Sequence, residues 1–185
     1  LDLSLVLASD RLAGRADPET RHAQLRNCIA QHLGADARAR LADRLGAVLH
    51  CDTIVLLHDP QMAAAATLIE TSAWEAGLCS VQRTDFRNFA HGRHVWLDKH
   101  PQGTFVLALT SDRTVPAWQA VERVLPSFIK CYAVDFGRAG RAARFEALAF
   151  GLAFVEALGL AKGIDPGKPG VAEFGRRLFD SNVLH

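Results

Sequence analysis

The sequence predicts an α/β fold: a three-layer α/β/α sandwich around a mainly parallel, doubly wound sheet of about five strands. Two observations carry this. Apolar runs without polar alternation recur at Thr53–Leu57 and, most clearly, at Thr104–Thr110 (Thr-Phe-Val-Leu-Ala-Leu-Thr), as expected of strands buried on both faces. Between such runs lie segments whose apolar residues repeat at helical spacing. Strands that alternate with helices build a parallel sheet covered on both sides.

The elements follow in order. Pro18–Leu33 reads as a helix, with proline in its first turn, Leu25, Cys28, Ile29, His32 and Leu33 at helical spacing, and Gly34 as its stop. Asp36–Val48 reads as a second helix with Leu41, Leu45 and Val48 on one face. The strand Thr53–Leu57 ends at His58-Asp59-Pro60 and leads into the alanine-rich helix Gln61–Ala76. A short strand is expected at Cys79–Val81, the strong one at Thr104–Thr110, a helix at Val115–Leu125 closed by Pro126, and a strand at Lys130–Phe136. The long apolar helix Arg141–Leu158, a turn-rich stretch Gly163–Pro169 and a short helix near Val171–Leu178 complete the chain.

Composition narrows the function. A chain of 185 residues with 49% hydrophobic content can bury a proper core. The 21 basic and 20 acidic residues nearly cancel, so no global field recruits nucleic acid or an anionic membrane. No apolar run approaches the roughly eighteen residues of a membrane helix, and the opening Leu-Asp-Leu-Ser-Leu-Val-Leu is too short and too acidic for a signal peptide. Cys28, Cys51, Cys79 and Cys131 form no Cys-x-x-Cys pair, so free thiols in a reducing cytoplasm are expected. The chain opens on Leu1 and its only methionine is Met62, which suggests a piece of a longer polypeptide.

The segment Asp85–His94 (Asp-Phe-Arg-Asn-Phe-Ala-His-Gly-Arg-His) concentrates chemistry. Imidazoles exchange protons near neutrality, guanidinium groups bind phosphate bidentately, and Gly92 lets backbone approach a ligand. Arg87, Asn88, His91, Arg93 and His94 are therefore candidate ligand contacts, together with His58 at the end of the first strand. Arg83 and Asp85 read equally well as a surface ion pair. A metal site from His58, Asp59, His91 and His94 lacks recognised ligand spacing, and no metal or organic cofactor is expected. Thr110–Thr114 follows the strongest strand and either contacts a ligand or caps the next helix. Arg138, Arg141 and Arg144 read as a solvated basic face.

The order of these motifs resembles a sugar-isomerase (SIS) domain, and most closely the second of two such domains in the isomerase half of glucosamine–fructose-6-phosphate aminotransferases. The matching features are the strand Thr53–Leu57, the helix Gln61–Ala76, the short strand Cys79–Val81, the dipeptide His91-Gly92, and the tail Gly163-Ile164-Asp165-Pro166-Gly167-Lys168-Pro169. They span about Asp36 to Phe179. The resemblance implies residues 36–185 as the SIS domain and 1–35 as a helical segment, the connection from a missing upstream SIS domain or a partner chain. It implies Glu75 as the carboxylate base of aldose–ketose isomerisation and His91 as the ring-opening histidine. That histidine would reach a neighbouring subunit's site, giving a homodimer with a shared active site and a phosphorylated sugar as ligand.

This sequence departs from the family at several points. Ser72 stands where a catalytic lysine is expected, Phe174 stands at the Schiff-base lysine, and no serine- and threonine-rich phosphate loop matches. The loop His58-Asp59-Pro60-Gln61 replaces a glycine-rich one and offers fewer free backbone donors. No glutaminase segment is present, so amide-nitrogen transfer is not expected. Two functions remain side by side: a sugar-phosphate isomerase, and a non-catalytic sensor of sugar phosphates or nucleotide sugars in a larger protein. A third reading is a purely structural dimerisation module.

Overall fold

The apolar runs become the strands of one parallel sheet. The computed structural model describes residues 23, 26–27, 30–46, 51–170 and 172–180. Its strands are β1 (Thr53–His58), β2 (Ser80–Thr84), β3 (Thr104–Thr110) and β4 (Lys130–Asp135), in the spatial order β2-β1-β3-β4. Every pairing is parallel; Leu57 lies beside Thr84 and His58 beside Leu109. The described sheet has four strands where about five were expected, and they coincide with the four segments named above as strands. β2 extends past the expected Val81 to Thr84. As an edge strand it tolerates the half-buried Gln82 and Arg83, which an apolar-run criterion passes over.

Alternate strand residues feed two cores, as the two-residue repeat of a strand requires. Ile54, Leu56, Phe105, Leu107 and Leu109 pack under α1 (Ala35–Leu45), α2 (Ala63–Glu75) and α5 (Arg141–Lys162). Val55, Leu57, Val106 and Ala108 face the other way, toward Phe86, Phe89, Leu97 of α3 (Val95–Lys99) and Trp118 of α4 (Val115–Val124). Expected helix boundaries hold to within a few residues. For the helix from Pro18, the described positions 23, 26–27 and 30–33 are helical and the rest lie outside the described residues, as do 47–50. His32 reaches Glu146 of α5 at 3.0 Å and Arg38 reaches Glu156 at 2.7 Å, fastening this layer.

Small residues let α5 lie close to its neighbours. A Cβ on Gly151 would stand 3.2 Å from Leu68 and 3.3 Å from Ile69 of α2. At its carboxyl end α5 closes through Gly163, at φ 69°, with Ile164 N–H donating to Gly159 and Gly163 N–H to Leu160. This is the double hydrogen bond of a left-handed helix stop. It folds the tail back so that Pro166 crosses Gly159, and α6 (Glu173–Phe179) follows.

The described cysteines are unpaired: Cys51 is buried, Cys79 half-buried and Cys131 exposed, while Cys28 lies outside the described residues. Burial pushes the Cys79 thiol up to about 12 and raises that of Cys51, so both remain protonated and unreactive near neutrality. Among the described residues no helix is long and apolar enough to cross a membrane.

The α5 closure generates a stability prediction. A Cβ at Gly159 would sit 2.5 Å from Pro166 and 2.6 Å from the Ile164 carbonyl oxygen. Alanine's helix preference, worth about 1 kcal/mol, does not offset the displacement of backbone that this demands. Gly159→Ala is expected to lower stability by about 1–3 kcal/mol in urea unfolding; an unchanged or raised midpoint would show that the tail does not pack there.

Candidate functional site

The chain leaves β1 for β2 on one side and later returns to β3 on the other. Outside the carboxyl ends of β1 and β3 this reversal opens a crevice, the usual ligand position in doubly wound sheets. A cavity of about 680 Å³ lies at that edge, lined by His58, Pro60, Asp85, Phe86, Arg87, Asn88, His91 and Thr114. Its size falls in the range of small-molecule sites.

A buried carboxylate forms the floor of this region. Asp59 is 2% exposed. Its oxygens accept hydrogen bonds from Ser111 Oγ (2.6 Å), the Gln61 N–H (2.8 Å) and Thr114 Oγ1 (3.2 Å). A carboxylate out of water needs such donors to be tolerated. The knot ties the loop after β1 to the loop after β3. It also closes the backbone: Asp59 N–H goes to Leu109, Met62 N–H to Asp59, and Pro60 has none. In the second loop Ser111 N–H donates to Thr114 Oγ1, Asp112 N–H to Gly137, Arg113 N–H to Ser111 Oγ, and Thr114 and Val115 N–H to Ser111. Neither loop has a backbone donor to spare for phosphate, so an anion here must be held by side chains.

Those side chains come mainly from the segment after β2. No element was assigned to it above, and it folds as a helical turn, Phe86–Asn88, running into a wider turn over Phe89–Arg93 that Gly92 permits at φ 153°. Asp85 starts the turn, accepting from the Asn88 N–H at 2.7 Å and from Asn88 Nδ2 at 2.6 Å. The Asn88 backbone N–H, with its side-chain amide, holds the Asp85 carboxyl below the usual carboxylate range, and the nearby His58 ring adds to this. Helical geometry then sorts the candidates. Arg87, Asn88 and His91, one and four residues apart, share the face toward the cavity.

Past the glycine the chain turns away. Arg93 donates to the Arg83 carbonyl at 2.9 Å and lines a separate hollow with Gln82, Trp96 and His100. The Nδ1 of His94 contacts the Phe89 carbonyl at 3.1 Å, and the residue borders an apolar cleft of about 810 Å³ between this segment and α4. Arg83 pairs with Glu70 at 2.8 Å rather than with Asp85.

His58 and His91 thus meet in one cavity, and Glu75 does not join them. A helix linking two parallel neighbours begins at the carboxyl edge of the sheet and ends at the amino edge; Glu75 is the last residue of α2, exposed, five residues before β2 starts. His91 follows the opposite end of β2. Ser72 is half-buried on α2, and Phe174 is exposed on α6. Among the described residues no group of three or more His, Cys, Asp or Glu is placed to hold a metal ion. Sequence reasoning missed Asp59 as the buried organiser and Ser111 and Thr114 as its partners, although Asp-Pro-Gln after a buried strand is a turn-starting pattern.

No protein-family model matches the chain, and no curated protein is similar to it in sequence. Solved structures do match. A candidate phosphosugar isomerase involved in capsule formation from Bacteroides fragilis is 10% identical, with 84% of this chain covering 96% of that one at a TM-score of 0.60. A candidate sugar-binding protein from Salmonella typhimurium is 18% identical (84% of this chain, 54% of that one, TM-score 0.56). Glucosamine-6-phosphate deaminase from Thermotoga maritima is 16% identical (92% and 53%, TM-score 0.57). This chain therefore spans about half the length of the latter two. At these identities the likeness is one of fold: the chain shares the α/β architecture of these three structures.

The Asp85 cap generates a prediction with a pH sign. A carboxyl whose folded pKa is depressed contributes stability that is complete above its unfolded value, about 3.9, and is lost as pH falls through the folded value. Asp85→Ala should cost about 0.5–2 kcal/mol at pH 7 and speed amide exchange at Asn88 and Phe89. The difference from the parent should persist to pH 4 and shrink only below it; a difference that vanishes by pH 6 would contradict the cap.

Proposed function

We propose that the carboxyl-edge cavity binds a phosphorylated sugar, and that this is the basal function of the domain. The observation that supports it is the convergence of His58, Arg87, Asn88 and His91 on one cavity at the sheet's switch point. Arg87 supplies the fixed positive charge and a two-pronged donor for phosphate. Asn88, with its amide N–H engaged by Asp85, presents its carbonyl oxygen to sugar hydroxyls. His58 and His91 complete the polar wall. Arg93 and His94 would contribute only at the margin, since they face other hollows. The fold shared with a candidate phosphosugar isomerase and a sugar-phosphate deaminase is consistent with this reading.

Isomerisation is the stronger form of the proposal. His91 would open the ring and shuttle protons. Glu75 would act as base only where a second protomer carries it to the pocket, which is the shared homodimeric site that the SIS resemblance implies. The position of Glu75 at the amino edge, with Ser72 and Phe174 in place of lysines, takes these three out of the protomer's own cavity; where no other base serves, the second reading holds, in which the domain binds without turnover as a sensor. In both readings residues 36–185 form the SIS domain and 1–35 the connection from an upstream unit. A cytoplasmic setting suits the unpaired thiols.

Calorimetric titration with fructose 6-phosphate and with inorganic phosphate tests the binding. Arg87→Ala is expected to weaken both by about 10–100-fold, the worth of a charge-assisted hydrogen bond, whereas Glu75→Gln leaves the affinity of a single protomer unchanged. Failure of the parent protein to bind either compound would remove the proposal.

A further inference from the structure

We propose that His58, through its Nε2 atom, is the proton acceptor for a C–H bond of the bound sugar phosphate, supplied by the same chain that forms the pocket; this rests on the phosphosugar reading above. His58 ends β1 and lines the cavity. Its Nδ1 lies 3.0 Å from the carbonyl oxygen of Asp59. A carbonyl oxygen only accepts, so Nδ1 must carry the proton, and in the neutral ring the lone pair falls on Nε2. Among the described residues Nε2 has no hydrogen-bond partner.

The carbonyl that orients the ring is itself held. It accepts the Met62 N–H at 2.8 Å, and its residue is pinned by the Ser111 and Thr114 hydroxyls. The imidazole is thus fixed in tautomer and direction by a buried network, the arrangement that a general base requires. Asp85 lies beside His58 across the β1–β2 pair, since Leu57 pairs with Thr84. Its carboxylate, close enough to interact with the ring, would stabilise the imidazolium formed on proton uptake. Glu75, at the other edge of the sheet, leaves no carboxylate free for this task in the protomer's own cavity: Asp59 is buried beneath hydroxyl donors and Asp85 is engaged by Asn88.

The step balances within the site. Nε2 takes the proton from C2 of the open-chain aldose phosphate. The C–H electron pair becomes the C1=C2 bond and the carbonyl π pair moves to O1, which takes a proton from His91. The enediol then returns its O2 proton to His91, the C1=C2 pair takes the proton from Nε2 at C1, and C2=O forms. Both imidazoles end as they began.

His58→Asn tests this, because asparagine keeps an N–H near the Nδ1 position for the Asp59 carbonyl and removes Nε2. With fructose 6-phosphate and ribulose 5-phosphate as probes in deuterium oxide, the parent should exchange the C1 proton for solvent deuterium. At saturating probe, His58→Asn should exchange at least 100-fold more slowly than the parent, whatever its loss of affinity, the usual share of a general base. Nitrogen-15 NMR of the imidazoles should show neutral His58 protonated on Nδ1. Binding without exchange in the parent, exchange that survives His58→Asn but is lost in Glu75→Gln, or a proton on Nε2 would each overturn the assignment. Absence of binding by the parent would instead overturn the phosphosugar reading beneath it.

Discussion

The structure turns on the buried carboxylate of Asp59. A parallel sheet with a switch point leaves two strand ends whose loops diverge, and something must hold those loops together where no hydrogen-bonding ladder continues. Here Asp59 does so, taking hydrogen bonds from Ser111, Thr114 and the Gln61 backbone. Removing its donors would leave a charge without water, an arrangement that proteins do not tolerate cheaply. The same knot decides how the cavity can work. With the backbone donors of both loops already engaged, binding passes to side chains, and the residues after β2 become the ones that matter.

How much of this the sequence shows depends on the kind of signal. The strands of the two cores were visible because they are uninterrupted apolar runs, and the helices because their apolar residues keep a 3.6-residue rhythm; both reflect burial, which is local in its demands. β2 was underestimated because an edge strand can carry Gln82 and Arg83 without penalty. The cluster at 85–94 was recognised by its chemistry, but its members were grouped by nearness in sequence. The chain forms a helical turn there, so Arg87, Asn88 and His91 share a face while Gly92 swings Arg93 and His94 elsewhere.

Glu75 is the converse case. Its placement on a helix between two parallel strands was correctly read, and that placement alone puts the end of the helix at the amino edge, away from any crevice at the carboxyl edge. Topology was in the sequence pattern, and it sets the motif's carboxylate apart from the protomer's own cavity. Asp59 was hidden for a different reason. Nothing local distinguishes an aspartate that starts a surface turn from one that faces Ser111, fifty-two residues away, across a buried gap. Long-range polar contacts of this kind leave no periodicity.

The proposed role of the domain requires ligand binding at the carboxyl edge of the sheet, in the cavity that the Asp59 knot supports. Mapping backbone amide shifts while fructose 6-phosphate is titrated into the isotopically labelled protein examines this most directly. Saturable shifts are expected, centred on His58, Asp85 through His91, and Thr114, with Glu75, Cys79 and the amino ends of the strands undisturbed. Shifts centred on the apolar cleft beside α4 or on the amino edge, with the residues around His58 unmoved, would contradict it.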